Sequence, residues 1–203
     1  CALPIFKTLM HSISNEAELF ARLSMKIYPL ILNILDPVVQ AMDFIEYGID
    51  LATCIIDNVE AIRPEMWRLF EALSVSFNEF AFDYLPYMIV PFDIFIAKDP
   101  RTFLSGRSES LGISYLDVIG KLIVKTFDTG GQMDKKVATR MFMSVLHNCQ
   151  GHVDGFLGMF LPGLIDQIPH ASEFSYRRML IEAIASALVY NPELALQSLH
   201  QRG

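Results

Sequence analysis

Apolar residues recur at steps of three and four along nearly the whole chain, in helix-length segments divided by short polar breaks. No stretch keeps the two-residue alternation that a half-buried strand requires. A chain patterned in this way is expected to be all-α, and the order and spacing of its segments decide the architecture.

The segments predict helices over residues 3–13, 16–35, 39–58, 64–81, 83–97, 109–127, 134–148, 153–168 and 173–190, with a tenth opening at Pro192. Asn15 and Glu18 stand at capping-box spacing before the second helix, and Pro29 is expected to kink it. Pro86 and Pro91 are expected to bend or break the fifth. Ser172 is placed to cap the ninth helix and Asn191 the tenth.

Odd-numbered helices centre near positions 8, 48, 90, 141 and 181, and even-numbered ones near 25, 71, 116, 160 and 196. Both series advance by roughly 40 to 50 residues, the helix-pair period of HEAT and armadillo arrays. The widest step contains "KDPRTFLSGRSES", a longer connection with room for one helical turn. The predicted fold is therefore a HEAT-repeat α-solenoid of about five helical hairpins, forming one segment over residues 1–203. In such an array each helix buries one face on its partner and another on the next repeat. A compact helical bundle is the alternative, but a bundle demands no repeat period. The chain does not begin with Met, which points to a piece excised from a longer solenoid.

The stretch "RPEMWRLFEALSVSFNEFAFDYL" tests whether the aromatics are core or display. Met66, Leu69, Phe70, Leu73, Phe77 and Phe80 share one side of a helix, and Pro64 suits its first turn. Trp67, the single tryptophan, lies beside this stripe and is expected to pack between neighbouring repeats.

Composition narrows the function. Hydrophobic residues make up 52% of the chain, ample for a large core, and the formal charge is −7, from 23 acidic and 16 basic residues. That balance argues against direct nucleic-acid binding, which needs a basic stripe to displace counterions, and it is compatible with a basic protein partner. Cys1, Cys54 and Cys149 have no regular spacing; Cys54 and Cys149 lie in apolar helical patterns, as reduced interior thiols do. No apolar run reaches the roughly 20 residues of a membrane span. The nearest, "YLPYMIVPFDIFIA", is interrupted by Asp93 and two prolines.

Catalytic signatures are missing. In "HNCQGH", His147 and Cys149 would point to opposite sides of a helix and a fourth ligand is lacking, so no metal is expected. "GHVDGFLG" follows a helix rather than a strand and reads as a hairpin turn, not a phosphate cradle. Ser105, Ser108 and Ser110 occupy a polar loop with no neighbouring histidine. Arg177 and Arg178 are adjacent on a helix, one facing acidic groups of the preceding hairpin and the other solvent. Neither an enzyme nor a cofactor is predicted.

Several segments, "RPEMWRLFEALSVSFNEFAFDYL", "TFLS" at Thr102–Ser105, "LHNCQGHVDGFLGMFLPGLIDQI" and "IASALVYNPELALQSL", resemble the C-terminal half of importin-β-type nuclear transport receptors. The likeness is to the subgroup of importins seven and eight and their fungal counterparts, and extends from about Ile55 to Leu199. The resemblance implies a receptor that carries cargo through the nuclear pore, between cytoplasm and nucleus, and releases it when GTP-bound Ran binds. It also implies Phe-Gly nucleoporins as partners, in apolar slots between outer helices, with even-numbered helices lining the inner side. Basic cargo such as ribosomal proteins and histones suits the acidic balance. Glu71, Glu79, Asp117, Asp154 and Asp166 lie off their helices' apolar stripes and are the candidate partner-binding residues on that inner side. Ran is expected to bind mainly through repeats other than these. Arg63 stands where relatives tend to carry a small capping residue. The competing reading is a HEAT scaffold of another kind, an exportin or a phosphatase regulatory subunit; an all-α enzyme requires a site of no recognised pattern.

Overall fold

The computed structural model describes residues 3–202; Cys1 lies outside that range. Among the described residues there are eleven α-helices: α1 (Leu3–Ser12), α2 (Ala17–Ile34), α3 (Ile45–Asn58), α4 (Trp67–Glu79), α5 (Leu85–Lys98), α6 (Pro100–Ser105), α7 (Tyr115–Thr129), α8 (Gln132–Asn148), α9 (Asp154–Gln167), α10 (Phe174–Tyr190) and α11 (Pro192–His200). They contain no strand; a single antiparallel bridge joins Arg107 to Ser114. The fold is all-α and built from packed helical hairpins of the HEAT kind, as the spacing predicts.

The chain divides into two compact units, Cys1–Asp99 and Pro100–Gly203. In the first, α3 packs on both α1 and α5, while α2 rests on α3 and α4 on α5. In the second, α8 packs on α7 and α10, α9 packs on α11, and both α9 and α11 rest on α10. Helices two places apart in the chain thus stack on each other within a unit, which is the contact pattern of repeats rather than of a bundle closed around one centre.

Polar contacts carry the same period. Lys7 pairs with Asp50 at 2.6 Å, the Tyr28 hydroxyl donates to the Glu65 carbonyl, and Lys98 donates to the carbonyls of Ile56, Asp57 and Val59. In the second unit Gln132 bonds Ser172 and the Glu173 amide, the Val153 amide donates to the Tyr190 hydroxyl, and Arg202 pairs with Asp166. These partners lie 36 to 43 residues apart, one repeat each.

The aromatic stretch is core. Trp67 is 3% exposed, with ring centroids 5.3 Å from Phe70 on its own helix and 5.0 Å from Phe95 on α5. Phe70 meets Phe92 and Phe95 edge-on. Phe142, Phe156 and Phe160 form the corresponding cluster in the second unit.

Helix starts depart from the spacing where side chains build turns that periodicity does not register. α3 begins at Ile45 instead of Val39, because Asp36 accepts hydrogen bonds from Val38, Val39 and Gln40 and Gln40 takes a left-handed φ of 47°. α7 begins at Tyr115 instead of Glu109. Ser114 caps it, accepting from the Asp117 amide at 3.0 Å, and the loop before it is closed by the 107–114 bridge with Gly112 at φ 68°. Asn15 makes no cap, since Glu16 occupies that position without a side-chain bond. Ser172 likewise does not cap α10: Glu173 holds the N-cap position, and the Ser172 hydroxyl accepts from Gln132. Asn191 caps α11 as expected, accepting from the Leu194 amide. α2 and α5 continue through Pro29 and Pro91. Arg63 makes no capping bond and pairs with Glu65.

Candidate partner-binding surfaces

The five predicted carboxylates all fall on α4, α7 and α9, and four are exposed; Glu71 is half-buried. Glu71 is engaged within the fold, and so are three others. Asp117 accepts from the Ser114 hydroxyl at 2.6 Å and completes the start of α7. Asp154 accepts from Asn191, the cap of α11, at 3.2 Å. Asp166 is paired with Arg202. Asp154 and Asp166 are twelve residues apart on one helix, about 18 Å along its axis, so they make no single cluster. Glu71 and Glu79 stand two turns apart on α4 in the other unit.

Charge is divided unevenly. The first unit holds 14 acidic and 6 basic residues, net −8, and the second nine acidic and ten basic, net +1, which together give the −7 of the chain. The acidic character therefore resides wholly in residues 1–99, and a basic partner is attracted there more strongly than to the near-neutral second unit.

The second unit offers an apolar groove between α7 and α9. Ile123, Val124, Phe127, Phe142, Phe160 and Leu164 enclose a cavity of about 270 Å³, with Asp128 at its edge. Met159 overhangs it at 70% exposure. On α9 the groove is bordered by Gly163, where an added Cβ would meet nothing within 4 Å; Gly155 and Gly158 also face open space but do not line the groove. Each glycine costs about 1 kcal/mol of helix stability against alanine, and no contact within the fold compensates. "GHVDGFLG" is thus only partly the turn the sequence implies; Gly151, at φ 78°, makes the turn, while Gly155 and Gly158 belong to α9.

Reactive groups are turned inward. Cys54 and Cys149 are buried, and burial pushes both thiols up, Cys149 to about 11. Burial likewise raises the Tyr28 and Tyr176 phenols to about 12. A thiol held protonated is a poor nucleophile and a poor metal ligand. Among the described residues no three His, Cys, Asp or Glu side chains converge, and His147 and His152 are exposed beside the buried Cys149. Ser108 is 1% exposed and accepts from the Leu111 amide, which makes it part of the loop's frame. Arg178 pairs with Glu182 on its own helix and Arg177 donates to the Ala171 carbonyl, so neither reaches acidic groups of the preceding hairpin. No helix of the described residues is long and apolar enough to cross a membrane.

The chain is similar to an importin β-like SAD2 homolog of Arabidopsis thaliana, 25% identical over 197 residues, covering 97% of this chain and 19% of that protein. It is also similar to importin-8 of Danio rerio, 25% identical over 169 residues, covering 80% of this chain and 15% of the relative. A probable importin-7 homolog of Dictyostelium discoideum is 20% identical over 207 residues, covering 98% and 19%. The chain spans less than a fifth of the length of these relatives. No family model and no solved structure matches it.

Proposed function

From the placement of this chain in the importin-β superfamily, within the importin-7/8 subgroup, we infer that it is one HEAT segment of a nuclear import receptor. In this reading the receptor binds protein cargo and carries it through the nuclear pore between cytoplasm and nucleus. GTP-bound Ran, contacting mainly other repeats, releases the cargo. The function is binding and release, without chemistry.

The observation that carries this reading is the similarity to importin-type proteins over up to 98% of the chain, in a fold whose stacking contacts and polar ties both repeat at the HEAT interval. The charge division supports basic cargo on the first unit, with Glu71 and Glu79 as contacts. Asp117, Asp154 and Asp166 lie on the near-neutral unit, so a role in cargo binding would come second to their role in the fold. The α7–α9 groove, with its phenylalanine lining and Gly163 on its α9 side, suits a partner's phenylalanine followed by glycine, as in a Phe-Gly nucleoporin.

The test is import into nuclei of permeabilised cells by the intact protein, using a fluorescent histone-tail reporter. Ran- and energy-dependent nuclear accumulation is expected; a reporter that stays outside in the presence of the protein removes the proposal.

A further inference from the structure

The α2–α3 turn displays apolar side chains on a rigid frame. Val38 is 89% exposed, Val39 46%, Met42 42% and Phe44 41%, four large hydrophobic residues within seven positions. Turns are ordinarily polar, and scattered surface hydrophobes need no explanation, but four exposed within one seven-residue stretch form a candidate interaction surface. The turn is held by hydrogen bonds throughout. The Asp36 carboxylate accepts from Val38 at 2.8 Å, its carbonyl accepts from Val39 and Gln40, and the Gln40 and Ala41 carbonyls accept from Met42 and Phe44. Gln40 sits at φ 47°, a left-handed conformation that is unfavourable for a non-glycine residue. The chain is thus strained into a shape that keeps these side chains pointing outward.

The electrostatic setting selects the partner. Residues 27–62 contain no Lys or Arg and six carboxylates, Asp36, Asp43, Glu46, Asp50, Asp57 and Glu60. Two cations from elsewhere are engaged within it: Lys7 with Asp50, and Lys98 with the carbonyls at the end of α3. Asp43 and Glu46, which flank Phe44, are exposed. An anionic membrane or a nucleic acid would be repelled here, and a purely apolar partner would leave the carboxylates unanswered.

We propose that the α2–α3 turn docks a cationic amphipathic peptide segment of a partner protein, whose apolar side chains cover Val38, Val39, Met42 and Phe44 while its Lys or Arg residues face Asp43 and Glu46. The pre-formed turn loses little conformational entropy on binding, which favours recognition of a short segment. This site does not depend on the transport reading, and its test involves neither Ran nor import.

The probe is a fluorescent synthetic 18-residue peptide of leucine and lysine at helical spacing, titrated into the intact protein. A leucine–glutamate peptide of the same spacing and an oligolysine serve as comparisons. The leucine–lysine peptide alone should bind well, and less tightly at high salt. The double variants Val38→Ser/Phe44→Ser and Asp43→Asn/Glu46→Gln should each weaken it by about tenfold or more. All four side chains are exposed and outside the core, and unchanged circular dichroism confirms that each variant is folded. Undiminished affinity in both variants overturns the site. Equal binding of oligolysine overturns the apolar part, and equal binding of the glutamate peptide the electrostatic part. Self-association abolished by Val38→Ser/Phe44→Ser in sedimentation velocity reassigns the surface to a second copy of the chain.

Discussion

The Lys98 ammonium, at the end of α5, donates to the Ile56 carbonyl at 3.0 Å, and the Asp57 and Val59 carbonyls complete its three-donor set. The last carbonyls of α3 have no partner within their own helix and lie at the negative end of its dipole, so a cation from the next repeat satisfies both needs. Lys98→Met should lower stability by about 1 kcal/mol, since the capping group is exposed and water replaces part of the loss. Chemical denaturation measures this, and a midpoint equal to that of the parent chain would show that the contact contributes nothing.

Trp67 joins α4 to α5 through its ring contact with Phe95. Trp67→Ala leaves a large cavity at a fully packed site and should cost about 3–5 kcal/mol. The first unit should lose cooperative unfolding first, visible as a lowered urea midpoint.

The Tyr176 hydroxyl is buried, and among the described residues no hydrogen-bond partner reaches it. Removing it costs no bond and relieves the desolvation of a polar atom. Tyr176→Phe should be neutral or stabilising by about 1 kcal/mol. A clear drop in melting temperature would reveal a partner for the hydroxyl.

Alkaline pH should destabilise the chain. The Cys149 thiol is raised from 9.0 to about 11, and the Tyr28 and Tyr176 phenols from 10.0 to about 12, each chiefly by burial. Above the ordinary values the unfolded chain has released these protons while the folded chain retains them. Stability is therefore full below about pH 9 and falls as pH rises through the folded values. Melting temperatures from pH 8 to 11 should decline, less steeply for Cys149→Ala than for the parent; identical slopes would detach the decline from this thiol.

Gly163, in the lining of the α7–α9 groove, separates folding from binding. Gly163→Ala should raise stability by up to about 1 kcal/mol, because the added methyl meets nothing and improves helix propensity. If the groove receives a partner closely, the same change should weaken binding of a Phe-Gly repeat peptide. Fluorescence anisotropy reads the second effect and thermal melts the first.

What the sequence made legible were the properties that repeat. The all-α class, the helix-pair interval, the buried Trp67 and the Asn191 cap all follow from spacing that many residues share. The misplaced starts of α3 and α7 have a local cause. The Asp36 and Ser114 side chains hold single turns, and a pattern averaged over three or four residues passes over such bonds. The candidate carboxylates lie on α4, α7 and α9, but periodicity reports which side of a helix a residue occupies and not what stands opposite it. Hence the engagement of Asp154 with Asn191 and of Asp166 with Arg202, one repeat away, could not be read in advance. The division of charge was present in the sequence throughout; it became visible only once the boundary at Asp99 gave two sets of residues to compare.

The transport account is tested most directly by equilibrium binding of Ran to the intact protein that carries this chain. Ran loaded with a non-hydrolysable GTP analogue should bind and displace the histone-tail reporter, while GDP-loaded Ran should do neither. Absence of binding to the GTP form, or equal binding to both forms, would contradict the account and leave the helical hairpins as a scaffold of another kind.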